Sequence, residues 1–219
     1  MKLLIFGATG LAGSGVLRAC LDAPEVSEVR VVVRRSTGVR DPKLREFLHD
    51  NYLEYVPLAD AFSGVDACFF CLGASVSKAP AEKDYRCIHQ AYPLAAATML
   101  RATSPDAPFQ YLSGKSSALD SRWMWARVKA EAERDLIAAF KANCFRPGMI
   151  DGKGPSSQAA IVDALRPVLR AVFKPFRGMY IENIDIGRAM LAATADRIRQ
   201  RILENAEIRD LADRARARI

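Results

Sequence analysis

Three glycines near the start of the chain, Gly7, Gly10 and Gly13, stand at intervals of three. They follow the apolar run Leu3-Leu4-Ile5-Phe6 and precede a stretch in which Leu11, Val16, Leu17 and Leu21 recur at helical spacing. That order predicts a buried strand, a turn and a helix. Gly7 permits the tight turn, Gly10 lets the backbone approach a pyrophosphate with no side chain between, and Gly13 lets the helix pack close to the strand. The N–H groups and positive dipole end of the helix then face an anion. Thr9 and Leu11 sit on the same turn and join the candidate phosphate contacts. The chemistry predicted is capture of a dinucleotide cofactor.

The end of the second strand decides which dinucleotide. Glu28 to Val33, EVRVVV, is a β-branched run that ends in Arg34-Arg35-Ser36, and the nearest acidic residue onward is Asp41. A carboxylate there would accept from a ribose 2′-hydroxyl, whereas a pair of guanidiniums and a hydroxyl suit a 2′-phosphate. The expected cofactor is therefore NADP. At the exit of a fourth apolar strand, Ala67 to Leu72, Gly73 is expected against the cofactor, because ligands gather at the carboxyl ends of parallel strands.

Other chemistry is weaker in this sequence. Cys68 and Cys71 match CxxC, but strand positions three apart face opposite ways and no second Cys/His pair accompanies them, so buried structural thiols and no metal are expected. Five cysteines without framework spacing suit a reducing compartment. The net charge of +7 invites a nucleic-acid reading. Much of the excess, however, is the run of arginines from Arg197 to Arg218, interleaved with Glu204, Glu207, Asp210 and Asp213 as on a solvated helix. No nucleic-acid partner is expected. No stretch approaches the roughly 18 apolar residues of a membrane span, and the start lacks a signal-peptide pattern, so a soluble cytoplasmic protein with no membrane partner is expected.

The elements that must position these residues follow from periodicity. A first helix follows the glycines, and Pro42-Lys43 opens a short helix to about Asp50. Leu53 to Val56 alternates as a third, edge strand. A long helix over residues 82 to 103 is kinked by Pro93, a fifth strand spans Phe109 to Ser113, a second long helix runs from Trp123 to Phe140, and a short sixth strand holds Cys144-Phe145. The fold class is α/β: a Rossmann-like doubly wound parallel sheet with helices on both faces and a small C-terminal extension. Residues 1–150 would be the NADP-binding domain and 151–219 the extension, with apolar helix over Ala159 to Phe173, a brief strand at Tyr180-Ile181 and helix over Ile184 to Ala195.

GATGLAG, VVVRRS, CFFCLGAS, YLSGKSS, ARVKAEAE and FRPGMI, in this order and spacing, resemble the atypical short-chain dehydrogenase/reductases, and most nearly their Tat-interacting-protein-type oxidoreductases. More broadly the chain resembles the NAD(P)-dependent epimerase/dehydratase superfamily. The resemblance covers residues 1 to about 150 and more loosely continues to about 195. It implies NADP(H) and a Ser/Thr-Tyr-Lys catalytic set. Lys129 matches the lysine that holds the nicotinamide ribose and lowers the tyrosine's pKa, and Ser113 matches the serine, with Ser116 and Ser117 as competitors. The tyrosine should stand four residues before the lysine, and there the chain has Trp125. Indole donates a hydrogen bond but supplies no proton, and general acid catalysis typically contributes about 10²- to 10⁴-fold. His89, where relatives carry a short polar residue, is either a neutral-range titrating group or a partly exposed helix histidine. Tyr85, Tyr92 and Tyr111 are further candidates, with core packing the default. Pro57 replaces an aspartate that relatives often place near the adenine.

The first functional reading is an NADP-dependent oxidoreductase, monomeric or homodimeric, acting on a small carbonyl, alcohol or quinone-like substrate through Ser113, Lys129 and Trp125. The second is a catalytically silent NADPH-binding sensor or scaffold. The third is a sugar-nucleotide epimerase or dehydratase, disfavoured by the short C-terminal portion.

Overall fold

The computed structural model describes residues 1–79, 81–154 and 170–217. Leu3, Leu4, Ile5 and Phe6 of β1 (Lys2–Phe6) are wholly buried, because β1 lies mid-sheet with packing on both faces. It pairs in parallel with β2 (Glu28–Val33) on one side and β4 (Ala67–Phe70) on the other. Outward from β2 lies β3 (Leu44–Leu48); outward from β4 lie β5 (Phe109–Leu112), β6 (Asn143–Arg146) and β9 (Ile202–Glu204). All seven strands run parallel, in the order β3-β2-β1-β4-β5-β6-β9. A second sheet of two strands joins β7 (Met149–Asp151) and β8 (Tyr180–Glu182).

Helices cover both faces, as parallel crossovers require. On one face Leu3 and Ile5 meet α1 (Leu11–Asp22), α6 (Asn183–Ala195) and α7 (Asn205–Arg216) through Val16, Ile186, Met190, Ile208 and Leu211. On the other, Leu4 and Phe6 meet Phe62 of α2 (Ala59–Phe62), Ala96 of α4 (Tyr92–Thr103) and Leu136 of α5 (Met124–Phe140). Each such fully buried large side chain stabilises the fold by about 1.5–3 kcal/mol. The order reverses between β1 and β4, so a crevice opens at their carboxyl ends.

Two expected elements are corrected. Residues 42 to 50 are not helical. The Asp41 carboxylate accepts from the Lys43 N–H at 2.9 Å, its carbonyl accepts from Leu44 N–H at 3.0 Å, and the turn so made delivers β3 to the edge beside β2. Leu53 to Val56 is then not a strand, since β3 already holds that edge; Leu53 and Val56 are exposed and Tyr55 alone among the large side chains turns inward. The long helix over 82 to 103 exists but is interrupted. α3 (Glu82–Arg86) runs into a π turn (Cys87–Ala91), whose wider ring closes with Tyr92 N–H on the Cys87 carbonyl, and α4 follows with Pro93 in its first turn. The apolar helix expected from Ala159 to Phe173 lies outside the described residues as far as residue 169, and residues 170–173 are helical; the strand at Tyr180-Ile181 and the helix after it are present. Among the described residues, no helix is long and apolar enough to cross a membrane.

Candidate active site

The glycine turn is built as its spacing predicts, and its three glycines answer to different constraints. Gly7 has φ +76°, and a Cβ there would lie 2.6 Å from the Cys71 carbonyl carbon. A Cβ on Gly13 would lie 2.0 Å from the Gly7 carbonyl oxygen. The chain itself therefore demands both. Gly10, the N-cap of α1, has an ordinary extended backbone, and a Cβ there meets nothing nearer than the Gly7 oxygen at 3.4 Å. Among the described residues no side chain caps α1, and its first turn holds no acidic residue, so its N–H end suits an anion. A bare Gly10 beside an uncapped helix end fits a dinucleotide pyrophosphate.

At the end of β2 a hollow of about 390 Å³ is lined by Gly7, Thr9, Val32, Arg34, Arg35, Tyr52 and Leu72. Both arginines thus lie on the glycine-turn side of the sheet. Ser36 lines the adjoining groove with Thr9 and Arg35, and its hydroxyl accepts from Gly38 N–H at 3.2 Å. Glu46 on β3 ties down this loop, accepting from Thr37 N–H at 2.8 Å and from the Thr37 hydroxyl. Burial opposes its charge, but bonds from Thr37 and Ser36 outweigh that and hold its carboxyl below the usual range. Tyr52 was not foreseen as a lining residue. Pro57 falls in a 3₁₀ turn (Val56–Leu58) and does not line the hollow.

On the other side of the turn, a cleft of about 380 Å³ brings together Gly10, Leu11, Gly73, Ser113, Trp125 and Lys129. Ser113 directly follows β5 and is buried, with its Oγ 3.3 Å from Ser117 Oγ. Ser117 donates in turn to the Gly114 carbonyl at 2.8 Å, whereas Ser116 is exposed and outside the cleft. Lys129 reaches across from α5 and its Nζ donates to the Ser113 carbonyl at 3.0 Å. Burial pushes the ammonium down to about 8, with the Glu133 carboxylate one helical turn on opposing the shift. Gly13 lies beneath the turn and lines neither hollow.

His89 is 3 % exposed, not the partly exposed residue of the sequence expectation. The π turn directs it to the exit of β4, where Nε2 stands 2.9 Å from the Ala74 carbonyl oxygen and 3.2 Å from the Ala74 nitrogen. Gly73 makes the room, since a Cβ there would lie 2.9 Å from the imidazole Cε1. Burial, then the Lys129 charge, push His89 down to about 3, so it gains no proton near neutrality. Tyr85 stacks on it at 4.1 Å between ring centres and lines the cleft, its phenol pushed up to about 12 by burial. Tyr111 is fully buried, and Tyr92 packs on Tyr52 at the β2 end, outside the cleft. Cys68 is buried and burial pushes the Cys71 thiol up to about 12, so neither is a reactive thiolate.

Comparison with known proteins fits this geometry. Residues 2–87 match the family model described as semialdehyde dehydrogenase, NAD binding domain. The chain is 27% identical to "Protein FMP52, mitochondrial" of Eremothecium gossypii over 96% of its own length and 97% of that protein. It is 27% identical to protein HTATIP2 of Rattus norvegicus over 68% of its length and 62% of that protein. In fold it is similar to the dTDP-glucose 4,6-dehydratase DesIV of Streptomyces venezuelae, solved with NAD and TYD, with a TM-score of 0.71, 17% identity, and coverage of 98% of this chain and 80% of that one. The chain is thus similar to the atypical short-chain dehydrogenase/reductases.

The fold is of the NAD(P)-binding kind. One expectation is overturned. FMP52 of E. gossypii and two further fungal relatives are named as mitochondrial, which points away from a purely cytoplasmic location. Import into an organelle requires neither a secretory signal peptide nor a membrane span.

Proposed function

We propose that the chain is an NADP(H)-dependent oxidoreductase for a small carbonyl or alcohol substrate, working with Trp125 where a tyrosine is usual. The observation that carries the proposal is the placing of Lys129 Nζ on the Ser113 carbonyl in the same cleft as Gly10 and Trp125. The glycine turn holds the pyrophosphate through Thr9, Gly10 and Leu11, with Gly7 and Gly13 shaping the turn beneath them, and Gly73 lets the cofactor lie close to the end of β4. Arg34, Arg35 and Ser36 hold the 2′-phosphate. Their position in and beside one hollow, which no acidic residue lines among the described residues, supports NADP over NAD. When bound, the reduced nicotinamide supplies a hydride. Lys129 holds the ribose and its charge draws electron density from the reacting oxygen, Ser113 orients that oxygen, and the Trp125 indole N–H is its second donor.

Residues 1–150 act as the dinucleotide-binding domain and 151–219 as a small extension packed on that same domain, a placing supported by the shared core of α6 and α1. The basic charge of the C-terminal part is largely neutralised within the fold: Arg177 bridges Asp210 and Asp213, and Arg216 pairs with Asp185. This supports a small-molecule partner over nucleic acid.

Calorimetry with NADPH and NADH tests the cofactor assignment. Native protein should favour NADPH, and Arg34→Ala with Arg35→Ala should erase the preference by weakening NADPH about 10- to 100-fold, as expected for lost charge-assisted bonds to phosphate. Equal affinity for both dinucleotides in the native chain refutes it. Trp125 itself favours a second reading, a silent NADPH sensor. Tight NADPH binding with no turnover on any carbonyl, together with a partner affinity that responds to NADPH, selects that reading.

A further inference from the structure

We infer that the cleft beside Trp125 takes an uncharged, flat aromatic carbonyl compound of the quinone class, and that the missing phenol is the mark of such a substrate. This rests on the oxidoreductase reading above and narrows it.

The first support is charge. Among the described residues that line the cleft, Lys129 is the one charged side chain. The guanidiniums of Arg34 and Arg35 belong to the separate hollow at the end of β2. A nucleotide sugar or a carboxylic acid would bring one or more negative charges into a cleft with no guanidinium to pair with them, at a large desolvation cost. The second is the wall. Leu11, Leu72, Val76, Trp125 and Ile150 make much of it apolar, and Val76 at 39 % exposure offers an apolar face to solvent. An aromatic ring gains there from burial and from stacking on indole. At about 380 Å³ the cleft is at the small end for ligand pockets, so the acceptor is compact.

The third support is chemical and concerns the proton. A saturated ketone that accepts a hydride becomes an alkoxide, a strong base that needs an acid positioned beside it as it forms. The chain puts an indole at that position, holds His89 neutral against Ala74, stacks the buried Tyr85 ring on that imidazole with its phenol pushed up to about 12, and buries Tyr111 in the core. A quinone has no such need. It takes up two electrons and one proton as a hydride equivalent, its carbonyl π bond opens, one oxygen becomes O–H, and the ring becomes aromatic. The resulting hydroquinone anion spreads its charge over the ring and takes the second proton from water, while the dinucleotide is left oxidised. No side chain has to ionise.

The test uses the two tryptophans of the chain. Trp123 is 62 % exposed and outside the cleft, so Trp123→Phe leaves Trp125 as the only indole reporter. With this variant loaded with oxidised NADP, which excludes turnover, 2-methyl-1,4-naphthoquinone should quench the emission saturably. Trp125→Phe, reporting from Trp123, should show only linear collisional quenching. With NADPH, native protein should turn over the naphthoquinone at least ~100-fold faster than 1-tetralone, the scale of an absent general acid. Trp125→Tyr should raise the ratio of tetralone to naphthoquinone turnover at least ~10-fold. Linear quenching in Trp123→Phe, or equal turnover of the two compounds, in protein that binds NADPH overturns the inference alone. Failure to bind NADPH overturns the reading beneath it.

Discussion

The hydroxyl of Tyr111, on β5, donates to the main-chain carbonyl of His89 at 2.9 Å. Pro93, four residues after His89, has no N–H to offer that oxygen, so the sheet supplies the donor that the helix lacks. One bond thereby pins the π turn, and with it the imidazole beside Ala74, to the strand that carries Ser113. Tyr111→Phe should leave a buried carbonyl without a partner and cost about 1–3 kcal/mol. Urea unfolding measures it, and an unchanged midpoint would show that the carbonyl finds another donor.

Gly10 and Gly13 should separate under substitution. Gly13→Ala drives a methyl to within 2.0 Å of the Gly7 carbonyl and should destabilise severely, by several kcal/mol. Gly10→Ala meets nothing closer than 3.4 Å and should change stability by no more than ~1 kcal/mol, while NADPH affinity falls at least ~10-fold. Thermal melts paired with calorimetry decide this. A Gly10→Ala protein that binds NADPH as the native chain does would falsify the assigned approach of the pyrophosphate.

Lys129 carries a pH signature. Its ammonium is pushed from 10.5 to about 8 in the folded chain, so between these values the unfolded chain binds the extra proton. Stability from this group therefore rises with pH across that window, and its burial penalty is fully present below about 8. Relative to Lys129→Met, the native chain should gain about 1–3 kcal/mol between pH 7 and pH 10, comparing urea midpoints at each. Parallel pH curves for the two proteins would mean the amine keeps its ordinary affinity for a proton.

Glu133 is 2 % exposed and held by Arg146 through bonds of 2.9 and 2.5 Å. Arg146→Met should strand that carboxylate and cost about 3–5 kcal/mol, whereas adding Glu133→Met should recover most of the loss. The double variant should also lower the lysine titration further, because the Glu133 charge supports the Lys129 ammonium. Lysine ε-carbon NMR reads that shift, and an upward movement would contradict the assigned coupling.

The parts of the molecule fixed by burial on two faces were readable from the chain. β1, β2, β4 and β5 are largely apolar runs because a parallel sheet covers them twice, and the glycine spacing follows from local geometry, whereas Lys129 was legible only through the family resemblance. What failed lies where context overrides local preference. Leu44 to Leu48, LREFL, is composed mostly of good helix formers, and only its pairing with β2 makes it an edge strand. The π turn left a trace in Pro93, but nothing local told that it would bury His89. Tyr52 belongs to a segment without periodicity, so its place beside Arg34 came only from the folded chain.

The face of the sheet beneath α1 is closed by α6, β9 and α7, all drawn from the last forty residues. A ribosome that has released the whole nucleotide-binding turn still holds back its hydrophobic cover. During synthesis, or in transit across an organelle boundary, the newborn polypeptide presents Val16, Leu17 and Ile5 to whatever chaperone is near, and it becomes safe from aggregation only when its tail arrives.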